Sequence, residues 1–302
     1  MSAIVICEFM DEAAIREGLA GFDIHYDPKL VDRPDELLRR VADARALIVR
    51  NRTQVRGALL DAAAKLEVVG RLGVGLDNID VAACGARNIA VFPATGANDV
   101  AVAEYVIGAA LHLRRGVFAA TSAVAAGQWP REKLMGRELA GATLGLVGFG
   151  AIAQEVARRA AAFGMAIVAH DPHVAPDDSR WTQVCGAVQR LALPDLLARA
   201  DVISLHVPLT DGTRNLIDAD ALARCKADAI LINSARGGVV DEQALADALK
   251  AGRLGGAALG AGRRADLVQA DRVQDRVDSR GQRRSRAGRL SHDRRGVRAA
   301  RR

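Results

Sequence analysis

The sequence predicts an α/β protein of two doubly wound parallel-sheet domains, and three observations carry that reading. Short β-branched apolar runs alternate with amphipathic helical stretches along the chain, the pattern of parallel strands joined by right-handed helical crossovers. The later runs are apolar almost throughout, as strands covered by helices on both faces must be. The 302 residues suffice for about two domains, each with a core of its own.

Taken in order, AIVICEF (3–9) precedes the helical DEAAIREGLAGF, RALIVRN (45–51) precedes TQVRGALLDAAAKL, and LEVVGRLG (66–73) precedes NIDVAACGARN. One long helix is expected from Asp99 to about Ala126. A second strand series follows it: TLGLVGFG (143–150), AIVAHD (166–171), DVISLHV (201–207) and AILINSA (229–235). The expected domains are residues 1–97 and 98–259, with a compositionally distinct tail at 260–302.

Half of the residues are apolar, a globular composition, and no uninterrupted apolar run approaches the roughly 20 residues that span a bilayer. MSAIVICEFMDE lacks the basic, apolar and small-residue regions of a secretory signal, so a cytoplasmic protein without a membrane partner is expected. Cys7, Cys84, Cys185 and Cys225 lie far apart, without metal-ligand spacing, and read as reduced, buried thiols. No metal is expected. The net charge of +6 belongs to one end: residues 260–302 hold 14 Arg and five Asp, a net +9, leaving −3 on residues 1–259.

The chemistry begins at Gly148-Phe149-Gly150-Ala151-Ile152-Ala153, a GxGxxA turn that follows an apolar strand and opens a helix. Gly148 permits the tight turn, and Gly150 lets a pyrophosphate approach main-chain N–H groups where the helix dipole favours anions. Ala153 still allows close packing of helix on strand, and Gly164 can end the helix. Asp171 closes the next strand 21 residues beyond Gly150, near the offset of a ribose-reading carboxylate. A carboxylate there accepts from a 2′-hydroxyl and repels a 2′-phosphate, so NAD is the expected cofactor and the second domain a Rossmann domain. The competing reading makes the glycines a turn and Asp171 a solvated strand end.

With five blocks in order, GRLGVGLDNIDVAA (70–83), TGANDVAVAEYVIGAAL (95–111), GRELAGATLGLVGFGAIAQEVA (136–157), SLHVPLTDGTRNLI (204–217) and LINSARGGVVDEQALADAL (231–249), residues 1–259 resemble the NAD-dependent D-2-hydroxyacid dehydrogenases, in their phosphoglycerate dehydrogenase-like branch. The resemblance implies a flavodoxin-like substrate domain, interrupted by the NAD-binding domain, and a homodimer; Gly116–Arg137 resembles the family's dimer arm, and a surface excursion would read much the same. It implies that Ala151, Ile152 and Asp171 contact pyrophosphate and ribose. His206, Val207, Pro208, Ser234 and Ala235 would line the cofactor pocket, His206 there rather than as a catalytic base. A strand-end histidine of no special role remains an alternative.

Arg236, in SARGGVVDE, matches the family's catalytic arginine; a planar guanidinium can grip a 2-hydroxy or 2-keto acid bidentately, as Lys cannot. Asp241 is a candidate helix cap beside it. On the substrate side, Gly73-Val74-Gly75 suits a backbone nest for a carboxylate. Arg50 and Arg52 either bind a second anionic group or are ordinary surface charge. A second anion would suit a small 2-hydroxy acid such as 3-phosphoglycerate or sulfolactate, and PATGAN (93–98) is closer to the sulfolactate type.

The resemblance stops at about residue 259. Gly260 stands where the family has an Asp, and residues 260–302 contain neither the D-V-F-x-x-E-P run with its catalytic Glu nor the P-H-x-G motif with its acid–base His; His292, in RLSHDRR, has the wrong context. The expectation is a dehydrogenase impaired in turnover, or a non-catalytic NAD(H)-sensing protein. Three origins of the tail stay open. An arm for nucleic acid would bind phosphate through its arginines, but it has no aromatic residues for stacking, and no nucleic-acid partner is expected. A solvated extension is the second. The favoured third is out-of-frame translation of a coding sequence rich in G and C, which the other two frames past codon 259 would reveal.

Overall fold

A computed structural model describes residues 3–183, 186, 188–260 and 266–269. What was expected of the rest of the tail, of His292 and of Cys185 lies outside the described residues. The chain divides into two compact units, Met1–Val102 and Ala103–Arg302.

The first unit alternates β1 (Ile4–Ile6), α1 (Glu12–Gly18), β2 (Ile24–Tyr26), α2 (Pro34–Val41), β3 (Ala46–Val49), α3 (Ala58–Ala62), β4 (Val68–Arg71), α4 (Val81–Ala86) and β5 (Ala90–Pro93). Its five strands are parallel, in the order β2-β1-β3-β4-β5. Strand order reverses between β1 and β3, which opens a crevice at their carboxyl ends. Local chemistry starts the helices: Asp11 and Asp80 accept from the Ala14 and Ala83 amides at 2.9 Å, and Pro34 opens α2 with its φ already set. Val5, Leu47 and Val69 bury one sheet face against Leu30, Val41 and Leu60. Each such side chain contributes about 1.5–3 kcal/mol when fully buried.

The division falls within α5 (Asp99–Arg115). The single helix expected through Ala126 is interrupted, because Gly116 turns left-handed at φ +64° and donates to the His112 carbonyl, the geometry that ends helices. A 3-10 turn at Val117–Ala120 and α6 (Thr121–Ala125) follow.

In the second unit come β6 (Thr143–Val147), α7 (Ala151–Ala162), β7 (Ala166–His170), α8 (Arg180–Gln183), β8 (Gln189–Arg190), α9 (Leu193–Arg199), β9 (Val202–Leu205), α10 (Ala219–Arg224), β10 (Ile230–Asn233), α11 (Glu242–Lys250), β11 (Gly256–Leu259) and β12 (Asp266–Gln269). The sheet order is β12-β11-β10-β9-β6-β7-β8. All pairs are parallel except β11 with β12. From β8 to β11 this is the dinucleotide-binding order, reversing between β6 and β9. Both faces are covered, Leu144 and Leu146 by Val156 and Ala160 on one side, Val147, Ile203 and Leu205 by Leu196, Leu222 and Leu245 on the other. The expected domain ended at residue 259; β12 extends its sheet by one antiparallel edge, drawn from DLVQ, an arginine-free run in the tail.

Among the described residues no helix is long and apolar enough to cross a membrane.

Candidate functional site

The chain leaves β6 at Gly148, whose φ is +88° and whose N–H donates to the His170 carbonyl at 2.8 Å. A Cβ on Gly148 would lie 2.6 Å from the His206 carbonyl oxygen and 3.0 Å from Val207 Cγ1. Gly148 is therefore required both by its dihedral and by the close approach of the segment after β9. Gly150 is the N-cap of α7, with no side chain capping that end. A Cβ on Gly150 would meet nothing within 4 Å, so open space lies before the first turn. Ala151 is exposed and Ile152 half-buried there, while Ala153 is fully buried against the sheet. An uncapped helix N-terminus behind an open glycine is a ready site for a pyrophosphate.

Asp171 follows β7 directly, and both of its oxygens are held: Oδ2 accepts from the Phe149 amide at 2.8 Å and Oδ1 from the His173 amide at 2.9 Å. The carboxylate is thereby fixed beside the turn, with lone pairs left for sugar hydroxyls. Phe149, fully buried, stacks on Trp181 with ring centroids 4.9 Å apart, and the Trp181 indole donates to the Ala175 carbonyl at 2.7 Å. Sequence reasoning passed over this stack, because nothing in the spacing ties α8 to the glycine turn.

Across the strand-order reversal, His206 follows β9 and shares a hydrogen bond of 2.9 Å between its Nε2 and Ser204 Oγ. Burial pushes the imidazole pKa down to about 4, so the ring is neutral at physiological pH. Val207 and Pro208 come next along the chain. After β10, Ser234 Oγ is buried without a hydrogen-bond partner, a group left for a ligand to satisfy. Asn233, buried and also missed from sequence, ties the next turn: its Oδ1 accepts from the Ala235 amide at 3.1 Å and its Nδ2 donates to the Arg236 carbonyl at 2.8 Å. Arg236 itself donates to the Ala235 carbonyl at 2.8 Å. Asp241 caps α11 through the Gln243 and Ala244 amides at 3.0 Å.

The open cradle at Gly150, the uncapped α7, the fixed Asp171 and the orphaned Ser234 hydroxyl fit a bound dinucleotide. Among the described residues, no group of three or more His, Cys, Asp or Glu could hold a metal ion.

In the first unit, the two candidate arginines differ. Arg52 forms an ion pair with Asp32. Arg50 has no such pairing among the described residues; its guanidinium lies 5.8 Å from the Phe9 ring centroid and reaches the Phe9 carbonyl at 3.5 Å. The expected nest is also smaller than Gly73-Val74-Gly75, since the Gly73 N–H donates to the Arg71 carbonyl at 2.9 Å. Among the described residues the Val74 and Gly75 N–H groups have no protein acceptor. Arg71, not singled out from sequence, lays its guanidinium against Gly73, where any Cβ would collide with it.

Comparison with known proteins agrees with this geometry. Residues 107–273 match the sequence model of the D-isomer specific 2-hydroxyacid dehydrogenase, NAD binding domain. The chain is 55% identical over 259 residues to the (S)-sulfolactate dehydrogenase of Chromohalobacter salexigens, covering 86% of this chain and 83% of that protein. It is 46% identical over 243 residues to the D-3-phosphoglycerate dehydrogenase of Mycobacterium bovis, covering 80% of this chain but 45% of that one; the chain thus spans less than half of that longer relative. Among solved structures, a glyoxylate reductase from Paecilomyes thermophila superimposes with a TM-score of 0.75 at 29% identity, over 87% of this chain and 82% of its own. The chain therefore belongs to the D-isomer specific 2-hydroxyacid dehydrogenases, and NAD is its cofactor.

Proposed function

We propose that the chain binds NAD(H) together with a small 2-hydroxy or 2-keto acid bearing a second anionic group, of the sulfolactate or 3-phosphoglycerate kind, and that residues 260–302 leave it poor at turnover. The carrying observation is the cradle in which Gly148 packs on His206, α7 begins uncapped behind Gly150, and Asp171 is fixed beside both. Bound there, NAD supplies the hydride acceptor, and NADH the donor, at the nicotinamide ring. Main-chain amides at Gly150, Ala151 and Ile152 would meet the pyrophosphate, and Asp171 the ribose. His206, Val207, Pro208, Ser234 and Ala235 would line the rest of the pocket, with the Ser234 hydroxyl finding its partner in the ligand. Arg236 would grip the substrate's carboxylate and C2 oxygen. Val74 and Gly75 would offer amides to an anionic group, and Arg50 its guanidinium. Arg52, neutralised by Asp32, would add little.

Moving a proton on and off the C2 oxygen takes a positioned acid–base group, worth about 10²- to 10⁴-fold. The family's Glu and His motifs are missing from 260–302, and Gly260 stands in place of the family's Asp. The same features favour the second reading, an NAD(H)-sensing protein without turnover. Domain roles follow from the site: substrate held by residues 1–97 and cofactor by 98–259. A cytoplasmic homodimer is the proposed form; its dimeric state is supported by a hollow of about 680 Å³ lined by Val117, Val124, Trp129, Pro130, Leu134 and Met135, in which Trp129 and Met135 are both 78% exposed.

The test is calorimetric titration with NADH, followed by NADH oxidation with sulfopyruvate, hydroxypyruvate phosphate and glyoxylate. Both are repeated after residues 260–302 are replaced by a segment carrying D-V-F-x-x-E-P and P-H-x-G. Firm NADH binding with feeble turnover, rising about 100-fold or more with the graft, is expected. Brisk turnover by the present chain overturns the impairment; no NADH binding overturns the whole reading.

A further inference from the structure

Glu8 lies just beyond β1, after Cys7, and is 3% exposed. Its carboxylate meets four successive amides of the segment after β3: Oε1 accepts from Arg50 at 2.9 Å and Thr53 at 3.0 Å, Oε2 from Asn51 at 3.3 Å and Arg52 at 3.1 Å. Consecutive amides converging on one point form a nest of the kind that holds a free anion. Here the anion is the chain's own side chain. Burial opposes the charge, but the amides of Arg50, Thr53 and Arg52 outweigh it and hold the carboxyl below its ordinary range.

The opposite side of the same segment is held as well. Asn78, 5% exposed, donates from Nδ2 to the Arg50 carbonyl at 3.3 Å and the Thr53 carbonyl at 2.8 Å. Thr53 Oγ1 adds a contact of 3.2 Å with Cys7 Sγ. Buried side chains thus clamp the main chain of residues 50–53 from two directions, while the side chain of Arg50 stays exposed. Glu8 spends its charge on amides and leaves that guanidinium's charge uncancelled. The clamp also stands at the carboxyl ends of β1 and β3, where strand order reverses and where open α/β sheets take their ligands.

We propose that Glu8, assisted by Asn78, is a positioning residue that aims the Arg50 guanidinium at the substrate's second anionic group, and so sets preference for dianionic over monoanionic 2-hydroxy acids without touching either. The inference rests on the reading of Arg50 as an anion-binding group. A neutral amide cannot replace Glu8, because Gln presents one accepting oxygen and turns an NH₂ towards two amide donors.

The experiment titrates the full chain with sulfolactate, 3-phosphoglycerate and D-glycerate in the presence of NAD, for wild type, Glu8→Gln and Arg50→Gln. Hydrogen exchange at residues 50–53 is followed in parallel. Glu8→Gln is expected to weaken both acids that bear a second anionic group about tenfold or more, to leave D-glycerate within about twofold and NAD unchanged, and to speed exchange at 50–53. Loss shared equally by all three acids, or faster exchange without a change in the dianion-to-glycerate ratio, overturns the proposal. Should Glu8→Gln fail to fold, Asn78→Ser carries the same test from the carbonyl side. If wild type binds the three acids alike and Arg50→Gln alters none of them, the substrate reading itself has failed, a result visible before any Glu8 variant is measured.

Discussion

The α-carbon of Gly148 lies so close to the main-chain carbonyl of His206 that a Cβ there would stand 2.6 Å from its oxygen. This contact joins the ends of β6 and β9 at the reversal of strand order, beside the proposed cofactor cradle. Gly148→Ala must strain a left-handed residue, at about 1–2 kcal/mol, and also push the backbone at 206 away. The variant is expected to melt at lower temperature and to bind NADH at least about tenfold more weakly, by thermal melting and calorimetry. Unchanged binding would show that the cradle lies elsewhere.

Asp171 holds the turn through the Phe149 amide and, in the proposed site, would meet the ribose with what remains of its carboxylate. Asp171→Ala removes both functions. A hydrogen bond to a charged group is worth about 1.5–3 kcal/mol, so NADH affinity is expected to fall about tenfold or more. NADPH should gain relative to NADH, because the charge that repels a 2′-phosphate is gone. Fluorescence titration with the two reduced cofactors reads both effects.

His206 gives the protein a pH dependence whose sign follows from its burial. The unfolded chain takes up a proton on this ring near pH 6.5, the folded chain only near pH 4. Between those values the unfolded state holds more protons, so stability falls as pH drops through the window and rises as it climbs back. Melting of wild type and His206→Gln from pH 7.5 to 4.5 is expected to show wild type losing on the order of 2 kcal/mol more than the variant. Parallel curves would mean that the ring is solvated. Glu8, whose carboxyl is held low, acts at the acid end instead, stabilising above the ordinary carboxylate range and losing that contribution below it.

How much of this was legible in the sequence depends on the range of the interaction concerned. The strands β1, β3, β4, β6, β7, β9 and β10 showed themselves as apolar runs because they are buried in the sheets. The short β2, β5 and β8 did not: Ile24–Tyr26 is only half-buried, Ala90–Pro93 alternates exposed with half-buried residues, and Gln189–Arg190 is exposed. The glycine turn and Asp171 were readable because one βαβ unit fixes their spacing. Glu8, Asn78 and the Phe149–Trp181 stack were not, since each joins segments whose approach is decided by strand order rather than by distance along the chain; Asn233 bonds only the turn directly after it and was passed over as an ordinary polar strand end. Gly116 shows the reverse failure, a local signal overlooked within a long apolar pattern.

Arg52 and Asp32 offer the sharpest contrast with Arg50. Two arginines flank Asn51 and look alike in sequence, but Asp32 engages only the second, and its guanidinium raises no demand for an external anion. The pair is exposed, so salt screens it and its effect on stability is small. Arg52→Gln is therefore expected to leave sulfolactate affinity within about twofold, whereas Arg50→Gln lowers it about tenfold or more. Asp32→Asn, which releases Arg52 into the same electrostatic neighbourhood, should raise dianion affinity modestly at low salt and not at high salt. Titration of the three variants at low and high ionic strength decides the matter: equal losses for the two arginine variants would mean that both guanidinium groups share the anion, and that the ion pair with Asp32 opens when ligand arrives.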